Sequence, residues 1–333
     1  MTIDGVKRAL IFGVSGQDGA YLSRLLLDRG YEVHGASRDA ESQSFRRLES
    51  LGIRDRVATH SASMHDFREL LQLVDRVRPD EIYNLAGQTS VGLSFSQPVE
   101  AMDSIARGAL ILLEVIRYLK IPVRLYNSAS SECFGDVPRG SATDERSPFF
   151  PRSPYATAKA TAHWTTVNYR EAYGIYASSG ILFNHDSPLR SERFVTKKVV
   201  AAAAEIAAGR RERVTLGRLD ISRDWGYAPE YVEAMWRMLQ QERPDDFVIA
   251  TGESHTLEEL VVVAFAEFGL DWKEHVDIDP ALFRPSDIAY SRGNPEKSRR
   301  VLGWEAKTKF PQVVRIMADA ERRTTSATVA QPS

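Results

Sequence analysis

Tyr155 and Lys159 stand four residues apart in a stretch, Pro154 to Tyr173, whose pattern is helical, so both side chains fall on one helix face. A free tyrosine has a pKa of about 10 and is a poor base near neutrality. A neighbouring ammonium favours the phenolate, so the spacing suits a phenol that takes an alcohol's proton while hydride leaves the same carbon. Such pairs also occur on ordinary helix surfaces, and two further features argue against that reading. Ser130 and Ser131 lie just beyond an apolar run, Val123 to Asn127, that reads as a strand, where hydroxyls can hold a substrate oxygen. A glycine turn near the N-terminus can hold the hydride acceptor that the base requires. Glu132 comes next after the serines and reads equally as a base for a proton on carbon or as a solvated loop carboxylate. Cys133 has no histidine partner nearby in sequence and reads as a small buried filler.

The glycine turn is Gly13, Gly16 and Gly19, a G-x-x-G-x-x-G pattern directly after the apolar run Ala9 to Phe12 and at the start of a helix. Glycines there permit a tight turn and close approach of a pyrophosphate, and the helix N-terminus adds unpaired amides. The spacing departs by one residue from the commoner G-x-G-x-x-G. The second strand ends at Ser37-Arg38-Asp39, where an acid would accept from the ribose hydroxyl of NAD and an arginine would meet the 2′-phosphate of NADP. The two residues argue in opposite directions, and the alternative is that one or both face solvent. Further along, Arg190, Lys197, Lys198, Arg223 and Arg284 are cations of the kind a nucleoside diphosphate needs. Asn184 and His185 directly follow another strand, and the seven histidines show no metal-ligand spacing.

These residues need a scaffold that brings strand ends together. Ala9 to Phe12, Glu32 to Ala36, Val57 to His60, Glu81 to Leu85, Val123 to Asn127, Ala177 to Phe183 and Phe247 to Ala250 read as strands. Helical patterns lie between them at Tyr21 to Asp28, Phe67 to Val77, Ile105 to Tyr118 and Pro154 to Tyr173, and later at Phe194 to Ala208 and Tyr231 to Leu239. Thr256 and Glu259 form a capping box that opens one more helix, and Asp279 to Asn294 reads as a loop. The alternation predicts an α/β fold, a doubly wound Rossmann-like parallel sheet with a smaller mixed α/β C-terminal substrate domain. The expected division is a dinucleotide-binding domain over 1–183 with about 224–250 returning, a nucleotide-sugar domain over about 184–223 and 251–323, and a frayed tail over 324–333. With 333 residues, 43% hydrophobic and 26% charged, the chain can bury a good core. A net charge of -2 gives no case for nucleic-acid binding. One cysteine fits a reducing cytoplasm, and no apolar run reaches membrane-spanning length.

Taken together the chain resembles the extended short-chain dehydrogenase/reductase group and, within it, the GDP-mannose 4,6-dehydratases, over about Arg8 to Arg323. The likeness is carried by Gly13-Val-Ser-Gly-Gln-Asp-Gly19, Tyr31-Glu-Val-His-Gly35, Glu81-Ile-Tyr-Asn-Leu85, Pro151-Arg-Ser-Pro-Tyr155, Phe183-Asn-His-Asp-Ser-Pro188, Phe194-Val-Thr-Lys-Lys198, Arg223-Asp-Trp-Gly226 and Asp246-Phe-Val-Ile-Ala-Thr-Gly252. The Asn-His-acid-Ser-Pro, Phe-Val-Thr and Arg-Asp-Trp-Gly segments are much more specific to this dehydratase family than the glycine segment, which the wider superfamily shares.

The resemblance implies a catalytic set of Ser130 (usually Thr), Glu132, Tyr155 and Lys159. It implies oxidation at sugar carbon 4, removal of the carbon 5 proton by Glu132, loss of water from carbon 6 and return of hydride there. The cofactor positions it implies are Gly13, Gly16, Gln17, Asp18, Gly19, Arg38, Ser63, Met64, Leu85, Ala86, Gln88, Tyr155, Lys159, His185 and Arg190. The GDP-sugar positions are Ser90, Ser131, Asn184, Lys198, Arg223, Arg284 and Asp287. The implied cofactor is NADP, with NAD as the alternative, and the implied assembly is a cytoplasmic homodimer or homotetramer formed through the loop after the second strand.

Departures bear on this. Arg38-Asp39-Ala40-Glu41 replaces the family's Arg-Arg-Ser-Ser and weakens the case for NADP. Ser63 stands where an Asp commonly meets the adenine, and Ala86-Gly87-Gln88-Thr89-Ser90 replaces Gly-Ala-Gln-Ser-His, which leaves the sugar open, hexose or heptose. The altered Arg38 to Arg47 stretch leaves the oligomeric state open. Two competing readings remain on the same fold: a GDP-sugar 4-reductase or epimerase, and a dinucleotide sensor without catalysis. Presence of Ser130, Glu132, Tyr155 and Lys159 together argues against the sensor.

Overall fold

The apolar runs become strands of one parallel sheet in the computed structural model, which describes residues 5–329. In chain order the strands are β1 Arg8–Phe12, β2 Glu32–Ser37, β3 Val57–Ser61, β4 Glu81–Asn84, β5 Arg124–Ser130 and β6 Ala177–Leu182. Shorter strands follow: β7 Asn184–Asp186, β8 Val214–Leu216, β9 Ser222–Arg223, β10 Trp225–Tyr227, β11 Phe247–Ile249, β12 His255–Thr256 and β13 Val276–Ile278. The main sheet has seven strands in the order β11-β6-β5-β4-β1-β2-β3. After β3 the chain crosses back to lay β4 on the other side of β1, so the order reverses between β1 and β4. That reversal opens a crevice at the carboxyl ends of the strands, where ligands bind in folds of this kind. Every residue of β4 is buried, as expected for a strand covered on both faces.

Helices cover both faces. α1 Gln17–Asp28 leads the series, followed by α2 Arg46–Ser50, α3 Phe67–Val77, α4 Val91–Ser96, α5 Pro98–Ala101, α6 Gly108–Leu119 and α7 Pro154–Tyr173. α8 Val195–Ala207, α9 Ala228–Leu239, α10 Leu257–Ala266 and α11 Phe310–Val329 complete it. Leu22 and Leu26 of α1 pack with Met235 and Met238 of α9 against Tyr83 and Tyr126 on one face. Leu70, Leu73, Val74 and Val77 of α3 share the core of the opposite face with Leu112 and Ile116 of α6. Their spacing is that of a single helical stripe, and Asp66 caps α3 by accepting from the Arg68 and Glu69 amides. Burying one such leucine contributes about 1.5–3 kcal/mol. α8, α10 and α11 enclose a second core around Val199, Leu260, Phe265 and Met317, beside the β8–β13 pair. The capping box read from Thr256 and Glu259 is present at α10.

Several boundaries differ from the sequence reading; α9, for example, begins at Ala228 where the pattern read from Tyr231. α1 begins at Gln17, immediately after the last turn glycine but one, so Asp18 lies in its first turn. β5 runs three residues further than its apolar run, to Ser130, because its carboxyl half consists of small, polar, buried residues that hide the pattern. The tail read as frayed from 324 is helical through Val329, while residues 330–333 lie outside the described residues. Thr324 returns its hydroxyl to the Ala320 carbonyl.

Candidate active site

The site is built from the residues at the carboxyl end of each strand. After β1, Gly13 adopts φ +85°, and a Cβ there would lie 2.8 Å from the Leu85 carbonyl oxygen. A Cβ on Gly19 would come within 2.4 Å of the Gly13 oxygen. The turn is thus pressed against both the β4 end and its own helix. Gly16 precedes α1, whose N-terminus has no side-chain cap, so first-turn amides remain available to an anion. This cradle fits a dinucleotide diphosphate. Gln17 points inward, giving its amide to the His185 carbonyl and accepting from the Ser187 hydroxyl.

Asp18 and His185 form a buried pair across the cleft, with Asp18 Oδ2 2.9 Å from His185 Nε2. The other ring nitrogen donates to the Phe183 carbonyl at 2.7 Å. Burial alone would raise the Asp18 carboxyl, but His185 brings it down to about 2. Burial opposes the charge on His185, and Asp18 outweighs it, so the imidazole is raised above its ordinary value.

At the end of β2, Arg38 and Asp39 are both exposed and have different contacts. Asp39 accepts from the Ser42 hydroxyl at 2.6 Å and from the Glu41 and Ser42 amides, so it is spent on its own turn. Arg38 is exposed and has no ion pair among the described residues. Beyond β3, the Ser63 hydroxyl accepts from the His65 amide, and Met64 is buried in the core. Beyond β4 lie Leu85, Ala86 and Gln88, the last donating to the Ser90 carbonyl at 2.8 Å.

One cleft of about 380 Å³ then brings together Asp18, Leu85, Ser90, Ser130, Ser131, Glu132, Tyr155, Lys159, Asn184, His185, Arg190, Lys198, Arg223, Arg284 and Asp287. The remaining expected positions, namely the three glycines, Gln17, Arg38, Ser63, Met64, Ala86 and Gln88, do not line it and lie along the strand ends beside it.

Ser130 closes β5 and lines the cleft beside Tyr155, which rises from the first turn of α7. Ser153 caps that helix by accepting from the Ala156 amide, and Pro154 occupies its first turn. Lys159 lies one turn on, giving its ammonium to the Ser128 carbonyl at 2.7 Å. Burial raises the Tyr155 phenol above its ordinary value, with Ser130 and Arg190 opposing. Burial also brings Lys159 itself down, to about 8. Cys133 is buried and its thiol is pushed up to about 12 by burial, as suits a filler.

Glu132 stands in a short turn after Ser130 and is largely buried, its Oε1 3.9 Å from Arg223 Nε. It is therefore not a solvated loop carboxylate. Arg223 is itself buried, donating to the Ile288 carbonyl at 2.7 Å and to Asp287 at 3.1 Å. Arg284 reaches the same Asp287 oxygen at 3.3 Å. Lys198 donates to the Thr215 carbonyl. Arg190 lies 2.9 Å from Asp186, at an angle too bent for a hydrogen bond, and stacks on Phe194 at 3.5 Å. Lys197 is not in the cleft, because it is tied to Glu321 of α11 and the Pro188 carbonyl. Next along the chain from Arg223, Asp224 accepts from Thr251, Gly252 and Gly293, fastening the β11 end.

The sequence reading missed Arg193 and Arg218, which also line the cleft. Arg218 is paired with Asp220, whereas Arg193 has no ion pair among the described residues. The crowding of cations over 190–198 was the available signal for Arg193.

Comparison with known proteins agrees with this geometry. The family described as GDP-mannose 4,6 dehydratase matches residues 10–317. "GDP-mannose 4,6 dehydratase 1" of Arabidopsis thaliana is 46% identical over 325 residues, covering 95% of this chain and 90% of that protein. The GDP-mannose 4,6-dehydratase of Sinorhizobium fredii (strain HH103) is 45% identical over 329 residues, covering 91% and 93%. Among solved structures, the Thermus thermophilus UDP-glucose 4-epimerase in complex with NAD superposes with a TM-score of 0.83 at 26% identity, covering 95% and 99%. A dTDP-glucose 4,6-dehydratase from Streptomyces venezuelae with NAD bound gives 0.84 at 21% identity, covering 96% and 98%, and so shares the fold.

Proposed function

The chain belongs to the GDP-mannose 4,6-dehydratase family, and from that premise we propose that it converts GDP-mannose to GDP-4-keto-6-deoxymannose with a nicotinamide cofactor, NADP in preference to NAD. The observation that carries this reading is the meeting of Glu132 with Ser130, Tyr155 and Lys159 in one cleft that also holds Lys198, Arg223 and Arg284. An alcohol dehydrogenation needs only the phenol, the lysine and a hydride acceptor. A dehydration needs in addition a carboxylate that can take a proton from carbon. Glu132 meets that need.

Gly13, Gly16 and Gly19 would hold the cofactor's diphosphate and Arg38 its 2′-phosphate, since Asp39 is turned toward Ser42. A nicotinamide held there would supply the hydride acceptor for carbon 4 of the sugar and the hydride donor for carbon 6. Ser130 orients the carbon 4 hydroxyl and Tyr155 receives its proton. Lys159 donates to the Ser128 carbonyl beside them and keeps positive charge near the phenol. The ketone formed at carbon 4 acidifies the carbon 5 proton, which Glu132 removes. Glu132 then delivers that proton to the hydroxyl leaving carbon 6, so one carboxylate serves both halves of the elimination. The proton left on Tyr155 balances the one that carbon 5 regains.

Asn184, Lys198, Arg223 and Arg284, with Asp287, are assigned to the GDP, and Ser90 and Ser131 to the sugar end. The active form is proposed to be a homo-oligomer. α6 and α7 expose Leu110 and Trp164, a more apolar surface than the loop after β2. Among the described residues no helix is long and apolar enough to cross a membrane.

The test is incubation with GDP-mannose and no added reductant. The expected product has lost one water. A gain of two hydrogens that depends on reduced cofactor would replace this reading with a 4-reductase.

A further inference from the structure

Arg47 belongs to none of the groups described so far, yet the fold goes to some length to place it. The chain leaves β2 through an exposed turn and re-enters the molecule at Phe45, which is fully buried and adopts φ +47°. A bulky residue in the left-handed region is uncommon and strained, and it persists only where its surroundings hold it. The Phe45 ring sits in the core, and the Arg54 guanidinium stacks on it at 4.8 Å. That anchor starts α2, and the second residue of α2 is Arg47.

Arg47 is half-buried and reaches over the glycine turn. Its Nε donates to the Leu189 carbonyl at 2.7 Å and its Nη1 to the Ser15 carbonyl at 3.0 Å. Ser15 lies inside the Gly13–Gly16 turn. Leu189 immediately precedes Arg190. One guanidinium fork therefore fastens the glycine turn to the segment that carries a second arginine. Nη2 has no partner among the described residues. Arg47 and Arg190 are close enough that, after burial, Arg190 is what disfavours the charge on Arg47. Two neighbouring arginines beside a turn of open amides are unfavourable in isolation and favourable around an anion.

We propose that Arg47 is a cofactor-positioning residue, which occupies the Ser15 carbonyl so that the glycine turn meets the cofactor's diphosphate through its amides, and which adds its own charge beside that diphosphate. The inference rests on the cofactor reading given above and deepens it. It separates two arginines by role: Arg38 would sense the 2′-phosphate that distinguishes NADP from NAD, and Arg47 the part the two nucleotides share.

The experiment is calorimetric titration of the nucleotide-stripped protein with NADP and with NAD, for wild type, Arg47→Met, Arg47→Lys and Arg38→Ala. Removing charged donors of this kind weakens binding about tenfold to a hundredfold. Arg47→Met is expected to lose that much for both nucleotides equally, leaving their ratio unchanged. Arg47→Lys keeps the charge but cannot bridge two carbonyls, and is expected to lose less. Arg38→Ala is expected to lose affinity for NADP alone. Should the Met variant fail to fold, the Lys variant carries the test. Unchanged affinities for both nucleotides, with or without a lower melting temperature, would overturn the proposal and leave Arg47 a structural clamp. A loss confined to NADP would also overturn it. A wild type that binds neither nucleotide would instead refute the cofactor reading itself.

Discussion

Replacing Lys159 by methionine removes an ammonium that the fold holds at a cost. The side chain is 6% exposed, and burial lowers its pKa from the ordinary 10.5 to about 8. The sign follows from proton counting. Between those two values the unfolded chain binds a proton that the folded one has shed, so stability increases as pH rises through this window. Below it both states are protonated, and the full cost of burying the charge is felt, about 3 kcal/mol. The increase expected for this one group between pH 7 and 9.5 is about 2 kcal/mol. Lys159→Met has no such group and keeps a similar volume, though it leaves the Ser128 carbonyl without its 2.7 Å donor. At pH 7 the lost donor, about 1.5–3 kcal/mol, roughly offsets the relieved burial, so the variant should be about as stable as wild type. The assay is urea unfolding of both proteins at intervals from pH 7 to 9.5, with the difference between them taken at each pH so that other groups cancel. Turnover of the variant should meanwhile fall by about 100-fold or more, because the charge beside Tyr155 is lost. Parallel stability curves across that range would refute the claim that a buried, charged Lys159 is held here against its solvation.

Tyr155→Phe keeps the buried ring and removes the hydroxyl, so turnover should fall about 100-fold or more while GDP-sugar affinity changes little, as steady-state rates and titration would record. Glu132→Gln keeps the shape and cannot take a proton. Bound cofactor should accumulate in its reduced, near-ultraviolet-absorbing form, and the solvent deuterium that wild type places at carbon 5 should be missing. Wild-type dehydration by that variant would make Glu132 a bystander. Cys133 is buried with its thiol pushed up to about 12, so iodoacetamide at pH 8 should leave it unmodified in the native protein and alkylate it once urea is added.

The parts of the fold legible in the sequence are those decided locally. α3 and α7 have the limits that their periodicity predicts, because apolar spacing and the caps Asp66 and Ser153 act within a few residues. The box at Thr256 is legible for the same reason. β5 reads short in the sequence because Ser128 and Ser130 look like a loop, yet they pair with β6 on a strand packed by α7 and α9. Polar residues can occupy a central strand when they approach the site where their groups are used. That is why the end of β5, the segment with the most chemistry, is also the strand end hardest to see.

Charge is legible as composition but not as availability. Five cations read as candidates for a diphosphate, and each acquires a different status through contacts the sequence does not adjoin. Lys197 is neutralised by Glu321, 124 residues away. Arg223 and Arg284 share the one carboxylate of Asp287. Arg190 rests on Phe194 beside Asp186, and Lys198 holds a carbonyl and pairs with no acid among the described residues. The same holds for Asp18 and His185, 167 residues apart, whose pairing sets the charge of both. The state of the Tyr155 phenol has this origin too. Spacing of four residues brings an ammonium near a phenol, but whether the phenol is lowered depends on how much water reaches it. Here burial outweighs the helix neighbour and raises the phenol.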